Sequence, residues 1–258
     1  MSKKSYSTVN RLLKLSIVLL IVIMWMIHRL FYLKPDKGLH KEGFHYCFED
    51  VVLIDYLKEF TFFLSQNLQY RDYILISGSG LLDMVLPTYM IYFMFQGDSW
   101  QAVINMALFY NVRGPLIQNL CTLEYYDTYL FDNPGFFSFS VPYHRASDFF
   151  FSGHAGCAIL CAFQFKKWGH MDIYYLGIFV GLLEGFVMLL LRTHYFIDIV
   201  FGLMAGHYFF IWASYICIPL DYYLPVSRKQ IRRNSYKDLK EILEHIGESD
   251  KEKKKKRA

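Results

Sequence analysis

No alanine occurs before Ala102, and no Ala-x-Ala follows the first apolar run. A secretory cleavage site needs small residues, so that run is expected to stay as a membrane span, although Lys3, Lys4, Arg11 and Lys14 precede it. Charge is also scarce. Only 19% of the 258 residues are charged, against 54% hydrophobic and 19% aromatic, which excludes an ordinary soluble domain. No nucleic-acid partner is expected. The five cysteines are an odd number: Cys157, Cys161 and Cys217 lie in apolar runs as small packing residues, while Cys47 and Cys121 could meet as a disulfide on an oxidising side. No Cys/His spacing suits zinc, so neither a metal nor a cofactor is expected. There is no internal repeat and no second folded domain.

What the chain does have is length of apolar sequence. A bilayer core takes about 20 mostly apolar residues per helix. Six segments approach this: 12–33, 73–95, 99–121, 149–165, 173–191 and 195–218. The expected fold is all-α, a membrane domain of six transmembrane helices over 1–225 with a basic tail at 226–258. A further run from Val51, "VVLIDYLKEFTFFL", carries Asp55, Lys58 and Glu59 and reads as an interfacial or re-entrant helix. Lys and Arg bias the N-terminus, the Lys166–Lys167 loop and the tail to the cytosol. The 34–72 loop has five basic residues, outnumbered by seven acidic ones. Loops 34–72, 122–148 and 192–194 then face the lumen.

In the tail, "DLKEILEHI" places Leu239, Ile242, Leu243 and Ile246 on one helical face, and the run after it should be disordered. Its end, Lys255 to Ala258, is similar to the dilysine retrieval signal of endoplasmic-reticulum membrane proteins, which implies recognition by coat proteins.

Ionisable groups at membrane depth are expensive and call for a functional explanation. Here they are Asp83, Arg113, His154, Glu184, Asp198 and His207, with His194 at a helix junction. The stretch "FFFSGHAG" ends an apolar run with His154 between glycines, and "RTHYFID" puts Asp198 four residues after His194. An i, i+4 pair shares one helical face, so the carboxylate can fix the imidazole tautomer and leave the other nitrogen free to attack. Two histidines and an acid at one membrane face suit nucleophilic transfer at phosphorus. His194 would attack, Asp198 orient it, and His154 protonate the leaving alkoxide.

Arg113 and Glu184 lie about 12 and 10 Å below the lumenal ends of their spans. They either neutralise each other or hold substrate, Arg113 on a phosphodiester and Glu184 in a headgroup or acceptor pocket. Asp83 reads as a span-to-span hydrogen-bond partner, and His207 as structural. The 122–148 loop is dense in aromatics and acids: Glu124, Tyr125, Tyr126, Asp127, Tyr129, Asp132, Phe136, Phe137 and Tyr143. It is either an interfacial aromatic belt or a site for a quaternary ammonium held by aromatic faces, with Glu124 or Asp127 as counter-charge.

"SDFFFSGHAG" and "RTHYFIDIVFG" resemble the two C-terminal motifs of the sphingomyelin synthases and their relatives, including the plant phosphatidylcholine–diacylglycerol cholinephosphotransferases. These are six-span members of the lipid phosphatase and phosphotransferase superfamily. The resemblance covers Ser147 to Gly206. It implies a metal-free transfer of a phosphorylated headgroup from a phospholipid donor to a lipid-alcohol acceptor, with His154, His194 and Asp198 as catalytic triad. Asp148, Ser152 and Arg192 within the motifs join Arg113, Glu124 and Glu184 as expected substrate-binding residues. The synthases usually carry Cys-Gly-Asp before the serine–glycine–histidine motif; here Ala146 and Ser147 precede Asp148, while Arg192 and "GLMAG" fit the plant branch.

An alternative is a lipid phosphate phosphatase, which would carry a Lys-x6-Arg-Pro string that is absent here. Phe151 stands in place of that branch's proline and Met188 in place of its arginine. A phosphate monoester needs several cations and a diester fewer, so few cations favour a diester. A second alternative is a non-catalytic lipid-binding membrane protein, which would need no oriented nucleophile.

Overall fold

The computed structural model describes residues 12–24, 26, 51–117, 130–141, 143 and 151–224. Expectations placed on Cys47, Cys121, Glu124, Asp148 and the tail lie outside them.

Every regular element described is helical, and there is no strand among the described residues. α1 is Leu12–Met24, α2 Val51–Gln66, α3 Leu68–Gln96 and α4 Gln101–Asn111, which continues as a π-helical stretch Val112–Ile117. α5 is Gly153–Lys167, α6 Met171–Leu190 and α7 Phe196–Tyr223. Three helices, Leu68–Gln96, Met171–Leu190 and Phe196–Tyr222, are long and apolar enough to cross a membrane. α5 falls short of its expected span for a local reason. α5 starts at Gly153 rather than at Phe149 because Ser152 is extended (φ −65°, ψ 116°) and caps the helix, its hydroxyl accepting from Ala155 N. The run from Val51 does form a helix, broken from α3 at Asn67 and fastened to the end of α6 by Thr61 Oγ1 donating to Leu190 O at 3.0 Å.

α5 is the axis of the bundle. Every residue from Ala155 to Ala162 is buried, the pattern of a helix surrounded by others. Small residues let its neighbours approach. On α6, Gly177, Gly181 and Gly185 recur every fourth position; a Cβ on the first would lie 2.8 Å from Ala162 Cβ, and on the second 3.1 Å from Ile159. On α7, Gly202 and Gly206 form a Gly-x3-Gly face against Ser152 and Gly156 of α5. Association of this kind rests on close dispersion contact, since lipid is as apolar as the side chains. The outward faces are large and apolar: Tyr175, Phe179, Leu182 and Phe186 on α6, and Met204, Tyr208, Trp212 and Tyr215 on α7, are all exposed. A soluble protein would not present such continuous patches.

Polar groups tie the helix ends together on the side away from the histidines. Lys14 donates to Gly97 O and Lys167 to Gln101 Oε1. Asp221 near the end of α7 accepts from Ser99 Oγ and Trp100 N at 2.6 and 2.8 Å, and Asn105 donates to Gln164 at 2.9 Å. His170 and the Tyr92 hydroxyl meet at 2.7 Å.

The segment before α5 dips along α3. Leu130 N donates to Leu191 O, and Asp132 pairs with Arg71 near the start of α3 at 3.0 Å. Further along, the amides of Phe139 and Ser140 donate to the two carboxylate oxygens of Asp83 at 2.9 and 2.6 Å. The chain then turns back, and Tyr143 meets Ser79 at 2.6 Å. Arg71 and Asp83 stand about 18 Å apart along the helix axis, so residues 130–143 form a re-entrant hairpin reaching the middle of α3. Asp83 was expected to join two spans; it joins a span to this hairpin.

Candidate active site

The first turn of α7 and the turn before it build half of the site. Tyr195 is extended, and Asp198 sits in the first turn of α7. The Asp198 Oδ2 accepts from Tyr195 N at 3.0 Å and lies 3.4 Å from His194 Nδ1. Both side chains are buried, with 5% and 1% exposure, so this geometry is shielded from water. A carboxylate at Nδ1 favours the proton there and leaves the Nε2 lone pair outward. Thr193 braces the turn: its hydroxyl donates to Met188 O at 2.9 Å and rests 3.0 Å from the Met188 sulfur. Met188 thus supports the turn from below. Arg192 carries a positive φ of 55°, a left-handed conformation that costs a non-glycine residue about 1 kcal/mol. It is the residue at which the chain reverses from α6 towards α7.

The first turn of α5 builds the other half. Ser152 N donates to Asp198 O at 2.9 Å, joining the two motifs by their backbones. A Cβ on Gly202 would lie 2.6 Å from Ser152 O, so glycine is what lets α7 approach this closely. His154 follows two residues after Ser152, and its ring centroid is 6.5 Å from that of His194. Phe131 of the hairpin lies against His154 with centroids 6.0 Å apart. The arrangement puts two imidazoles across a gap wide enough for one tetrahedral group, with an acid behind one of them.

Arg113, in the π-helical stretch, reaches the same helix terminus. Its Nε donates to Phe151 O at 3.3 Å, and its Cζ lies 2.7 Å from where a Cβ on Gly153 would stand. Gly153 therefore leaves the space that the guanidinium fills beside His154. Glu184 is elsewhere. It is 1% exposed on α6, with Oε1 seated over Gly78 of α3 and no hydrogen-bond partner among the described residues. Arg113 and Glu184 form no ion pair with each other, so mutual neutralisation does not explain them.

Sequence reasoning brought His154, His194, Asp198, Arg113, Ser152 and Arg192 to one end of the bundle, and the structure places them there. It missed Phe131, which lies in no motif, and Thr193, which stands inside "RTHYFID" but was given no role. Asp132, which the sequence shows only as one of the acids of the 122–148 loop, pairs with Arg71. His207 lies outside the site, its ring 4.7 Å from that of Phe163 on an exposed face of α7. Among the described residues, no group of three or more His, Cys, Asp or Glu side chains converges as metal ligands would.

Comparison with known proteins gives one result. The AtPDCT1/2 family model matches residues 59–215, more than half of the chain. No curated protein and no solved structure matches significantly. The matched region runs from within α2 through most of α7 and includes both histidine motifs. The chain therefore belongs to the AtPDCT1/2 family, that of the phosphatidylcholine:diacylglycerol cholinephosphotransferases.

Proposed function

We propose that the protein is a membrane phosphotransferase that moves phosphocholine, or phosphoethanolamine, from a phospholipid to a lipid alcohol. The observation that carries this is the backbone-locked pair His154 and His194, 6.5 Å apart with Asp198 behind His194, inside a chain of this family. His194 Nε2 attacks phosphorus, and the bond from phosphorus to the diacylglycerol oxygen breaks. His154 gives its proton to that oxygen. In the second half the acceptor hydroxyl gives its proton to His154 and attacks phosphorus, and the phosphorus–His194 bond breaks. Asp198 stabilises the imidazolium character of His194 throughout.

Arg113 beside Gly153 suits one charge on a phosphodiester. Ser152 and Arg192 border the same gap, and Glu184 lines the headgroup or acceptor pocket; Asp148 and Glu124 complete the proposed substrate contacts. Among the described residues Arg113 is the arginine that reaches the α5 terminus, and Met188 packs under Thr193, so a phosphatidic acid dianion is poorly matched, which disfavours the phosphatase reading. A lipid-binding role without catalysis would not need the Asp198–His194 pair. Diacylglycerol is preferred over ceramide as acceptor, since the Cys-Gly-Asp signature is absent. The chain is placed in the endoplasmic-reticulum membrane with six spans and the site facing the lumen, and the transfer needs no metal.

The test is labelled headgroup transfer by the purified protein, with phosphatidylcholine and phosphatidic acid offered separately and diacylglycerol or ceramide as acceptor. Transfer to diacylglycerol is expected. Phosphate release from phosphatidic acid outpacing label in any phosphocholine lipid would establish the phosphatase instead.

A further inference from the structure

The hairpin 130–143 carries non-helical backbone to the middle of α3. At membrane depth such backbone persists only where protein or enclosed water satisfies it, and here Asp83 does so for two amides. Beside that turn lies an unbalanced charge arrangement. Glu184 Oε1 sits over Gly78, and Asp83 is five residues further along α3, about 8 Å of helix rise away, so two carboxylates share one region of the bundle. Glu184 Oε1 and Ser140 Oγ are both buried without a hydrogen-bond partner among the described residues. Among the described residues, Arg71 is committed to Asp72 and Asp132, and Arg113 donates to Phe151 O at the start of α5. Neither carboxylate has an ion-pair partner among the described residues. Neighbouring buried carboxylates are costly when both are charged; a proton on one relieves the cost, and so does a cation held between them.

Between these carboxylates and the histidines stands an aromatic pair. Phe131 and Tyr143 lie with ring centroids 5.4 Å apart, Phe131 touching His154 and Tyr143 bonded to Ser79, the neighbour of Gly78 under Glu184. Aromatic faces backed by carboxylate hold an ammonium that cannot itself donate hydrogen bonds. We infer that the cationic end of the donor headgroup docks here, its quaternary ammonium against Phe131 and Tyr143 and above Glu184 and Asp83, with phosphorus between His154 and His194. This rests on the transferase reading and adds where the headgroup lies. It also moves the counter-charge from the loop acids Glu124 and Asp127 to the helix pair.

Binding and turnover separate the two ideas. Full-length protein in lipid nanodiscs is titrated with soluble phosphocholine, and with glycerol 3-phosphate as the comparator lacking ammonium, following the thermal unfolding midpoint. Wild type and His194→Ala should both bind phosphocholine preferentially. Glu184→Gln and Phe131→Leu should each weaken phosphocholine by roughly tenfold and leave glycerol 3-phosphate unchanged. In transfer assays Glu184→Gln should raise KM for phosphatidylcholine by a similar factor, with kcat within about threefold. Should Glu184→Gln not fold, Asp83→Asn and Phe131→Leu give the same readout. Wild-type phosphocholine affinity in these variants overturns the proposal, as does equal loss of both ligands. Stabilisation by magnesium or calcium alone that Glu184→Gln removes also overturns it, assigning the carboxylates to a metal. If phosphocholine binds in this pattern yet no donor yields label, the headgroup site stands and the transferase chemistry falls.

Discussion

At the scale of single residues, the proposed transfer divides the site into groups that act on phosphorus and groups that hold them. His194→Ala should abolish transfer without affecting membrane insertion. Asp198→Asn should lower kcat by on the order of 10²–10⁴-fold by disturbing the tautomer. His154→Ala removes the proton donor to a poor leaving group and should cost about 10²–10⁴-fold; a loss under about threefold would reduce His154 to a packing residue. All three are read by labelled headgroup transfer, with expression and detergent-extracted folding as controls. The two motifs were legible because their chemistry is written in contiguous residues: a histidine between glycines, and an i, i+4 His–Asp pair. Phe131 was not legible, because nothing in "LFDNPGFF" says which of its aromatics turns inward. Only the hydrogen bonds at Leu130, Asp132 and Asp83 decide that.

At the scale of helices, the apolar runs predicted α3, α6 and α7 closely, because long uninterrupted hydrophobic sequence leaves few alternatives. The fourth run was misplaced at its start, where three phenylalanines look helical and membrane-buried but a serine cap delays the helix to Gly153. Glycine spacing on α6 and α7 is equally plain in the sequence, yet it gains meaning only when α5 is known to be the partner. Gly202 gives the sharpest test of that packing. A methyl there meets Ser152 O and N, backbone atoms already tied to Gly156 N and Asp198 O and unable to retreat. Gly202→Ala should lower stability by about 1–3 kcal/mol and also reduce kcat, because α5 and α7 shift apart at the two histidines. Gly80 has open space and makes the control. Comparable thermal midpoints and turnover for Gly202→Ala and Gly80→Ala would show that the α5–α7 approach has slack.

At the scale of the whole molecule, the histidines lie at one end of the bundle and the polar ties of Lys14, Lys167 and Asp221 at the other. Replacing Lys255 and Lys256 by serine should let the protein advance from the endoplasmic reticulum to the Golgi, as seen by microscopy; unchanged residence would make the run a plain basic tail. Chelation with EDTA should leave transfer intact, and loss of activity restored by a divalent ion would rewrite the chemistry.

The placement of the site at the end of α6 has a kinetic consequence. α6 has 20 residues, about 30 Å, the thickness of a hydrocarbon core, so in the proposed membrane placement His194, just beyond it, stands at headgroup level. A diacyl lipid can therefore react without leaving its leaflet, sparing the ~0.8 kcal/mol that each exposed methylene would cost. Encounter becomes a search in two dimensions. Turnover should follow the mole fraction of donor and acceptor in the bilayer and stay constant when the same vesicles are diluted with buffer, whereas dilution with inert lipid should slow it.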